Sequence, residues 1–534
     1  MRLVSKVWFI PLVLVMAAAN AQDNQCRPAD GNLEGMEIGQ IRINNSNIFN
    51  LNQDDENSTL HSIANKLHIK TTTSTIKQQL LFETGQRYRS ELIAETERKL
   101  RAKSYLYEAV ISVESICDEK LVVVVKTSDN WTLTPSISAS RSGGVNRTAY
   151  KISESNLLGL GKEIKIKSQS DEERQSSFFR YDDDNLLGSA HSLSFKLANN
   201  SDGDEQLLSI GKPFNQLDSR SSYGLDLNNI EQQTQIYQAG KITGITGRRL
   251  ESLSVAYGWS NGLFDNKVLR YVLGWTASDK RYFNVIDYPD TQLPEEQYLS
   301  YPSFSINYFE NKFIKRENFN VMGALEDIAV GRQLSLSIGL LSQALGSSHD
   351  GLKMATNFTQ GIEVSERSIA FIEVANSIEM YTDAADYNSI KLSGEWRYHQ
   401  DVNHGYYFKG LFQKADNLLD IDQYVIGGDT GLRGYPIRFQ TGTSKALISV
   451  EKRTYLNWYP LKLIKFGYAV FADIGSAWKK NESPSFIKDV GVGIRMVSTR
   501  QSHAKVLHLD FAYPLDDKQD LSGFQIMVKA KSQF

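Results

Sequence analysis

Cysteine (2), histidine (8) and proline (11) are scarce in this chain of 534 residues, and each scarcity excludes something. With so few His and Cys, none closely spaced, no zinc-type ligand set exists, so neither a metal nor a cofactor is expected. Few prolines leave strand ladders uninterrupted. After Ala21 no stretch approaches eighteen uncharged apolar residues, which excludes a membrane-spanning helix. A net charge of −3 is too small to point to nucleic acid or to an anionic membrane surface. No Gly-x-Ser-x-Gly and no convincing His-based constellation occurs, so no enzyme is expected.

What is present is aromatic: Tyr 25, Phe 24 and Trp 7 suit long strands. The mean hydropathy of −0.36 fits a soluble protein. It equally fits a membrane barrel, in which only every second strand residue meets lipid. The start of the chain sets the compartment. Arg2 and Lys6 precede an apolar run from Val7 to Ala19, and Ala19-Asn20-Ala21 is a small-x-small cleavage site. Residues 1–21 are therefore expected to be a secretory signal peptide, the run being too short for an anchor. Cys26 lacks the small and apolar neighbours of a lipoprotein cysteine. In an oxidising compartment, Cys26 and Cys117 suggest one disulfide, with two free thiols as the alternative.

After a linker at 22–35, residues 36–130 read as a compact α+β domain. Strand-like segments are Met36–Asn44, Val110–Val113 and the continuously apolar Leu121–Lys126. Helical ones are Leu60–His68, Thr75–Phe82 and Ser90–Lys103, the last with Ser90 as its expected cap. From 131 to 534 the texture is strand, turn, strand. Tyr468, Val470, Ala472 and Ile474 share one face; so do Leu507, Leu509, Phe511 and Tyr513. The last strand alternates cleanly through Phe524, Ile526 and Val528 and finishes on Phe534. Sixteen strands would take about 25 residues each with their connections, enough for tilted spans of roughly 9–11 residues plus loops. A weak echo links Ser155–Gly159 to Asp184–Gly188, each reading as a turn that feeds a strand.

The most specific segment is 427–436, with Gly427, Gly428, Gly431 and Gly434 around Leu432, Arg433 and Tyr435. Such glycine density lets a loop turn sharply and approach other backbone closely. No Gly-Lys-Ser/Thr follows, so it is not a phosphate loop. Leu432-Arg433-Gly434-Tyr435 resembles the core loop motif of the BamA/TamA-like outer-membrane assembly and secretion superfamily. The resemblance implies a transmembrane β-barrel of sixteen antiparallel strands preceded by one small α+β POTRA-like domain, with the loop folded into the barrel. It also implies that Arg433 meets the inner-wall acids Glu451 and Asp473, and the parity of their strands turns both side chains away from the outward apolar face. Five strands fit after the loop, near 445–455, 465–475, 487–497, 504–513 and 524–534, which would put the loop after the eleventh. The implied setting is the bacterial outer membrane with the first domain in the periplasm. The implied partners are outer-membrane lipid, client or cargo polypeptides and periplasmic accessory proteins, with no nucleic acid. The implied work is insertion or translocation of client proteins. The rivals are a dedicated secretion transporter for one cargo, a passive or structural barrel without clients, and an enzyme using Glu451 and Asp473 as acid and base. Only one POTRA-like module is found, which argues against a general assembly machine.

Overall fold

The computed structural model describes residues 26–238, 240–501, 504–516 and 523–531. The expected signal peptide at 1–21 and Phe534 lie outside the described residues. The first part is a four-stranded sheet with three helices: β1 (Cys26–Pro28), β2 (Ile38–Ser46), α1 (Thr59–Leu67), α2 (Thr73–Gln79), α3 (Ser90–Arg101), β3 (Leu106–Cys117) and β4 (Lys120–Asp129). The sheet order is β1-β3-β4-β2, with β2 parallel to β4 and the other pairs antiparallel. The run Leu121–Val125 is buried throughout, as a central strand covered on both faces requires. It packs with Ile38, Ile76, Ile93 and Leu100 into the domain core. Cys26 and Cys117 are ladder partners joined by a disulfide, and this ties β1 to the far end of β3. Ser58 caps α1 and Thr72 caps α2 through their side chains. The expected cap at Ser90 is not formed. Arg89 holds the cap position without a side-chain bond, and the Ser90 N–H is taken by Glu34 instead.

The second part is a closed antiparallel barrel of 20 strands, from Leu133–Ser142 to Gln525–Lys531. The expectation of sixteen is thus corrected. The five strands after the loop stand where the alternation puts them: Ser444–Tyr455, Ile464–Trp478, Ile487–Ser498, Val506–Pro514 and Gln525–Lys531. All four extra strands precede the loop, which follows the fifteenth strand (His404–Asp416) rather than the eleventh. The physical reason is turn length. Five of the nineteen connections are only two residues long, among them Gly143-Gly144 and Asp265-Asn266, whose positive φ angles match the twist of the flanking strands. Dividing the span evenly overestimates the connections and so undercounts the strands.

The wall is inverted relative to a soluble protein. Leu253, Val255, Tyr257 and Trp259 on the eighth strand (Lys241–Phe264) are exposed, as are Tyr468 and Val470 on the seventeenth. Their sequence neighbours Ala469, Phe471 and Asp473 face inward and are buried. An apolar outer band of this kind matches a lipid environment.

The first domain sits at one mouth of the barrel, and the two echo segments seat it. Leu158 and Leu187 occupy corresponding positive-φ positions in their turns. The Gly159 carbonyl accepts from Thr72 N and Thr75 Oγ1, and Asn185 Oδ1 accepts from Gln79 Nε2 at 2.5 Å. Asn156 donates to Thr71 Oγ1 at 2.8 Å. One repeated turn thus carries successive parts of α2.

Candidate functional site

The loop after the fifteenth strand folds into the barrel from the mouth opposite the first domain. A short turn starts it: Thr430 N and Leu432 N both donate to the Gly427 carbonyl at 3.0 Å. Gly428 lies against the first hairpin, where a Cβ would stand 2.6 Å from Gly143 N. Gly431 adopts a φ of +130°. Gly434 is pressed against the wall, where a Cβ would come within 2.7 Å of Asp489 Cβ. Leu432 and Tyr435 are fully buried among Ile426, Leu447, Ala477 and Ile487. The single Tyr435 hydroxyl proton is shared between Asp516 at 2.5 Å and the Lys488 carbonyl at 2.9 Å, and Gly434 N donates to Asp489 at 3.0 Å.

Arg433 lies at the centre, 5% exposed. Its Nε and Nη2 donate to the two oxygens of Asp473 at 2.7 and 2.8 Å, and Nη1 donates to Glu451 at 2.6 Å. This is the bidentate geometry that the planar guanidinium fork permits and an ammonium does not. Ser449 Oγ accepts from Nη2 at 3.2 Å, and the guanidinium lies 3.4 Å above the centre of the Phe471 ring. The structure thus brings Arg433, Glu451 and Asp473 together. It also adds residues that the motif does not name. Asp510 stands 3.8 Å from Arg433 and accepts from the fully buried Arg495 at 2.5 Å. Arg453 donates to Glu451 at 2.9 Å. Strand parity was the available signal: Asp510 lies opposite the outward Leu507, Leu509 and Phe511. A buried carboxylate is tolerated only with such compensation, and here Arg433, Arg453 and Arg495 are set among Glu451, Asp473 and Asp510 across four adjacent strands. Among the described residues, no group of three or more His, Cys, Asp or Glu could hold a metal ion.

The barrel closes between its last and first strands. There the ladder has one register pair among the described residues, Val528 opposite Arg141. The neighbouring joints are continuous, from Val506–Lys531 to Ala512–Gln525 on one side and from Leu133–Glu154 to Ser142–Val145 on the other. On the last strand Phe524 and Ile526 are exposed on the outer face, while Gln525 and Met527 are buried.

No curated protein matches the sequence. Solved structures with a similar course include BamA from Haemophilus ducreyi lacking POTRA domains 1–3, at 12% identity and a TM-score of 0.40, covering 92% of this chain and 84% of that one. CdiB from Acinetobacter baumannii gives 12% and 0.45, covering 92% and 74%. CdiB from Escherichia coli gives 12% and 0.47, covering 95% and 79%. Residues 156–528, more than half of the chain, match the Omp85 superfamily domain, and the chain belongs to that superfamily.

Proposed function

We propose that this barrel assists the insertion or translocation of client polypeptides at the bacterial outer membrane, without catalytic residues of its own. The observation that carries the reading is the closing joint. A barrel abolishes sheet edges only if its last strand pairs with its first. Among the described residues that pairing is reduced to Val528 and Arg141, next to continuous ladders on either side. Such a joint offers two strand edges to an incoming strand at little cost. The Arg433 network stiffens the strands just before it, so that opening is confined to the joint. The first domain is read as a POTRA-like module in the periplasm that receives extended clients by strand addition. The apolar outer band faces outer-membrane lipid.

The test is to deplete the protein in its host and compare the outer-membrane and secreted proteomes by mass spectrometry. One or more proteins should fall in abundance. The double variant Arg141→Cys/Val528→Cys, joined by a short thiol cross-linker, should fail to restore them, whereas the uncross-linked variant should succeed. Unchanged proteomes on depletion would overturn the reading.

A further inference from the structure

The connection between the tenth strand (Gln297–Glu310) and the eleventh (Gln333–Leu341) lies at the mouth that carries the first domain. It is 22 residues long, against two for the shortest connections of the barrel. It leaves the wall as a hairpin of Phe313–Glu317 and Leu325–Ala329, and its turn at 318–324 enters the lumen. Phe319 and Met322 are 3% and 1% exposed. Met322 packs with Tyr455, Ala469, Val497 and Val506, and Phe319 packs with Ile369, all on inward positions of the wall. The Arg397 guanidinium lies 4.0 Å above the Phe319 ring, and the Tyr455 hydroxyl donates to the Asn318 carbonyl at 3.3 Å. The turn braces itself. Glu326 accepts from Asn320 N and Val321 N, and Asn318 Oδ1 accepts from Gly323 N.

The base of the hairpin is fastened to α3. Arg101 donates to both oxygens of Asp327 at 2.8 and 2.9 Å, and Lys315 donates to Glu97 at 2.9 Å. Arg98 donates to Asn311 at 3.1 Å. Glu97 and Arg101 have a second attachment. Glu97 Oε2 accepts from Ile111 N at 3.1 Å, and Arg101 Nη1 donates to the Ala109 carbonyl at 3.1 Å. These backbone groups belong to the outer edge of β3, which β1 covers only at Ser115–Cys117. The edge borders a cavity of about 1220 Å³ that is also lined by Lys315, Met322 and Glu326. Two side chains therefore occupy the hydrogen-bonding positions that an added strand would need. A paired strand lies about 4.7–4.9 Å away, in the space these side chains fill.

We infer that residues 311–332 are a stopper for the domain-side mouth of the lumen, and that an extended client segment pairing with β3 at Ala109–Ile111 releases it. To pair, the client must displace Glu97 and Arg101, and these hold Lys315 and Asp327. Strand addition and the seated stopper are then mutually exclusive. The inference rests on the client reading above and adds the step by which a client opens the barrel.

The experiment uses the full chain in proteoliposomes, with Val506→Cys beneath Met322 as reporter and a membrane-impermeant maleimide as probe. The two native cysteines are disulfide-bonded and do not compete. Labelling should be slow in the otherwise unaltered chain. It should be about tenfold faster or more with Asp327→Asn/Lys315→Ala, which leaves the first domain untouched, and fastest when 318–324 is replaced by a glycine linker. A peptide of residues 523–531, an alternating barrel strand, should accelerate labelling of the unaltered chain and compete with cross-linking at Ala109. If excision leaves labelling slow, there is no stopper. If excision accelerates labelling but Asp327→Asn/Lys315→Ala does not, the fastening does not hold it. If the peptide cross-links to β3 without accelerating labelling, the coupling is overturned while the client reading stands. If even the unfastened variant captures no peptide, the client reading itself fails.

Discussion

The loop at 427–436 reaches the lumen wall through a buried charge as well as apolar side chains, whereas the turn of the connection at 311–332 brings no charged side chain of its own to the wall. The first spends four glycines on close approach and delivers one guanidinium to Asp473 and Glu451. The second has a single glycine in its turn and delivers Phe319 and Met322 to apolar positions of the wall. The difference lies in reversibility. Withdrawing Arg433 would leave Asp473 buried without its cation, while Glu451 keeps Arg453 and Asp510 keeps Arg495, and one such uncompensated charge is already costly. Withdrawing Phe319 and Met322 exposes apolar surface and breaks the bonds that Arg397 donates to the Phe319 carbonyl and Asn320 Oδ1. Arg397 keeps its partner Glu395, so the cost is smaller, and a client can offset much of it by covering the apolar area. Charge fixes one segment, and apolar packing leaves the other releasable. The ion pairs of the second segment lie at its base, against the domain that would do the releasing.

The largest expected effect breaks the first half of this contrast. Arg433→Ala should destabilise the barrel by about 3–5 kcal/mol, less where water enters the lumen. The readouts are the fraction of heat-modifiable folded barrel and proteolysis within 427–436. Arg433→Lys should fall between, because a point charge cannot serve Asp473 with two parallel bonds and Glu451 with a third. Exchanging the charges, Arg433→Asp with Asp473→Arg, should restore little, because the new carboxylate would face Glu451 and Asp510. Full stability of Arg433→Ala would make the loop an ordinary surface loop.

The second half is tested by Met322→Ala, expected to loosen the 318–324 turn by about 2–4 kcal/mol, whereas Met322→Leu should cost under ~1.5 kcal/mol. Hydrogen exchange of the turn amides should rise with the first variant, while the amides of 427–436 stay protected. Simultaneous loosening of both segments would mean that they share one packing unit. Smaller again is Gly434→Ala. Its Cβ would stand 2.7 Å from Asp489 Cβ and 3.0 Å from Pro514 N, so the loop must shift, at about 1–3 kcal/mol. Folded yield should drop modestly, and protease cleavage at 427–436 should rise.

The same contrast explains what the sequence could reveal. The charged loop was legible because glycines around one arginine have no place in a strand, and because the period of two turns Glu451 and Asp473 to the same inner face. The five strands after it were legible for the same reason. The strands before it were undercounted because tight turns such as Asp265-Asn266 leave little loop sequence to mark them. Arg453, Arg495 and Asp510 belong to the network through parity alone, with no motif to single them out. The stopper was not legible. Phe319 and Met322 sit in a short stretch with no strand or helix period, and only the packed wall shows that they are anchors. Ser90 illustrates a local rule overridden by a neighbour, since Glu34 takes the backbone N–H that opens α3.

The smallest predicted effect concerns the fastening. Burial pushes the Glu97 carboxyl up, but hydrogen bonds from Arg101, Lys315 and Ile111 N outweigh it and hold the group below the ordinary glutamate range. A carboxylate depressed in the folded state contributes stability that is fully present above its unfolded value, near 4.3, and is lost as pH falls through the lower folded value. The bonds from Arg101 and Lys315 to Glu97 should therefore be unchanged between pH 7 and 5.5 and should weaken only in more acid solution. Asp327, with both oxygens on Arg101, keeps the base of the hairpin partly attached when Glu97 is protonated. The expected outcome is flat maleimide accessibility of Val506→Cys across the neutral range, after correction for thiolate fraction, and a shallow rise below the ordinary glutamate value. Glu97→Gln should remove that rise, because it keeps the side chain's shape and removes the titration. A rise centred near pH 6 to 7 would assign the release to a histidine instead, and would separate the opening of this mouth from the α3 contacts.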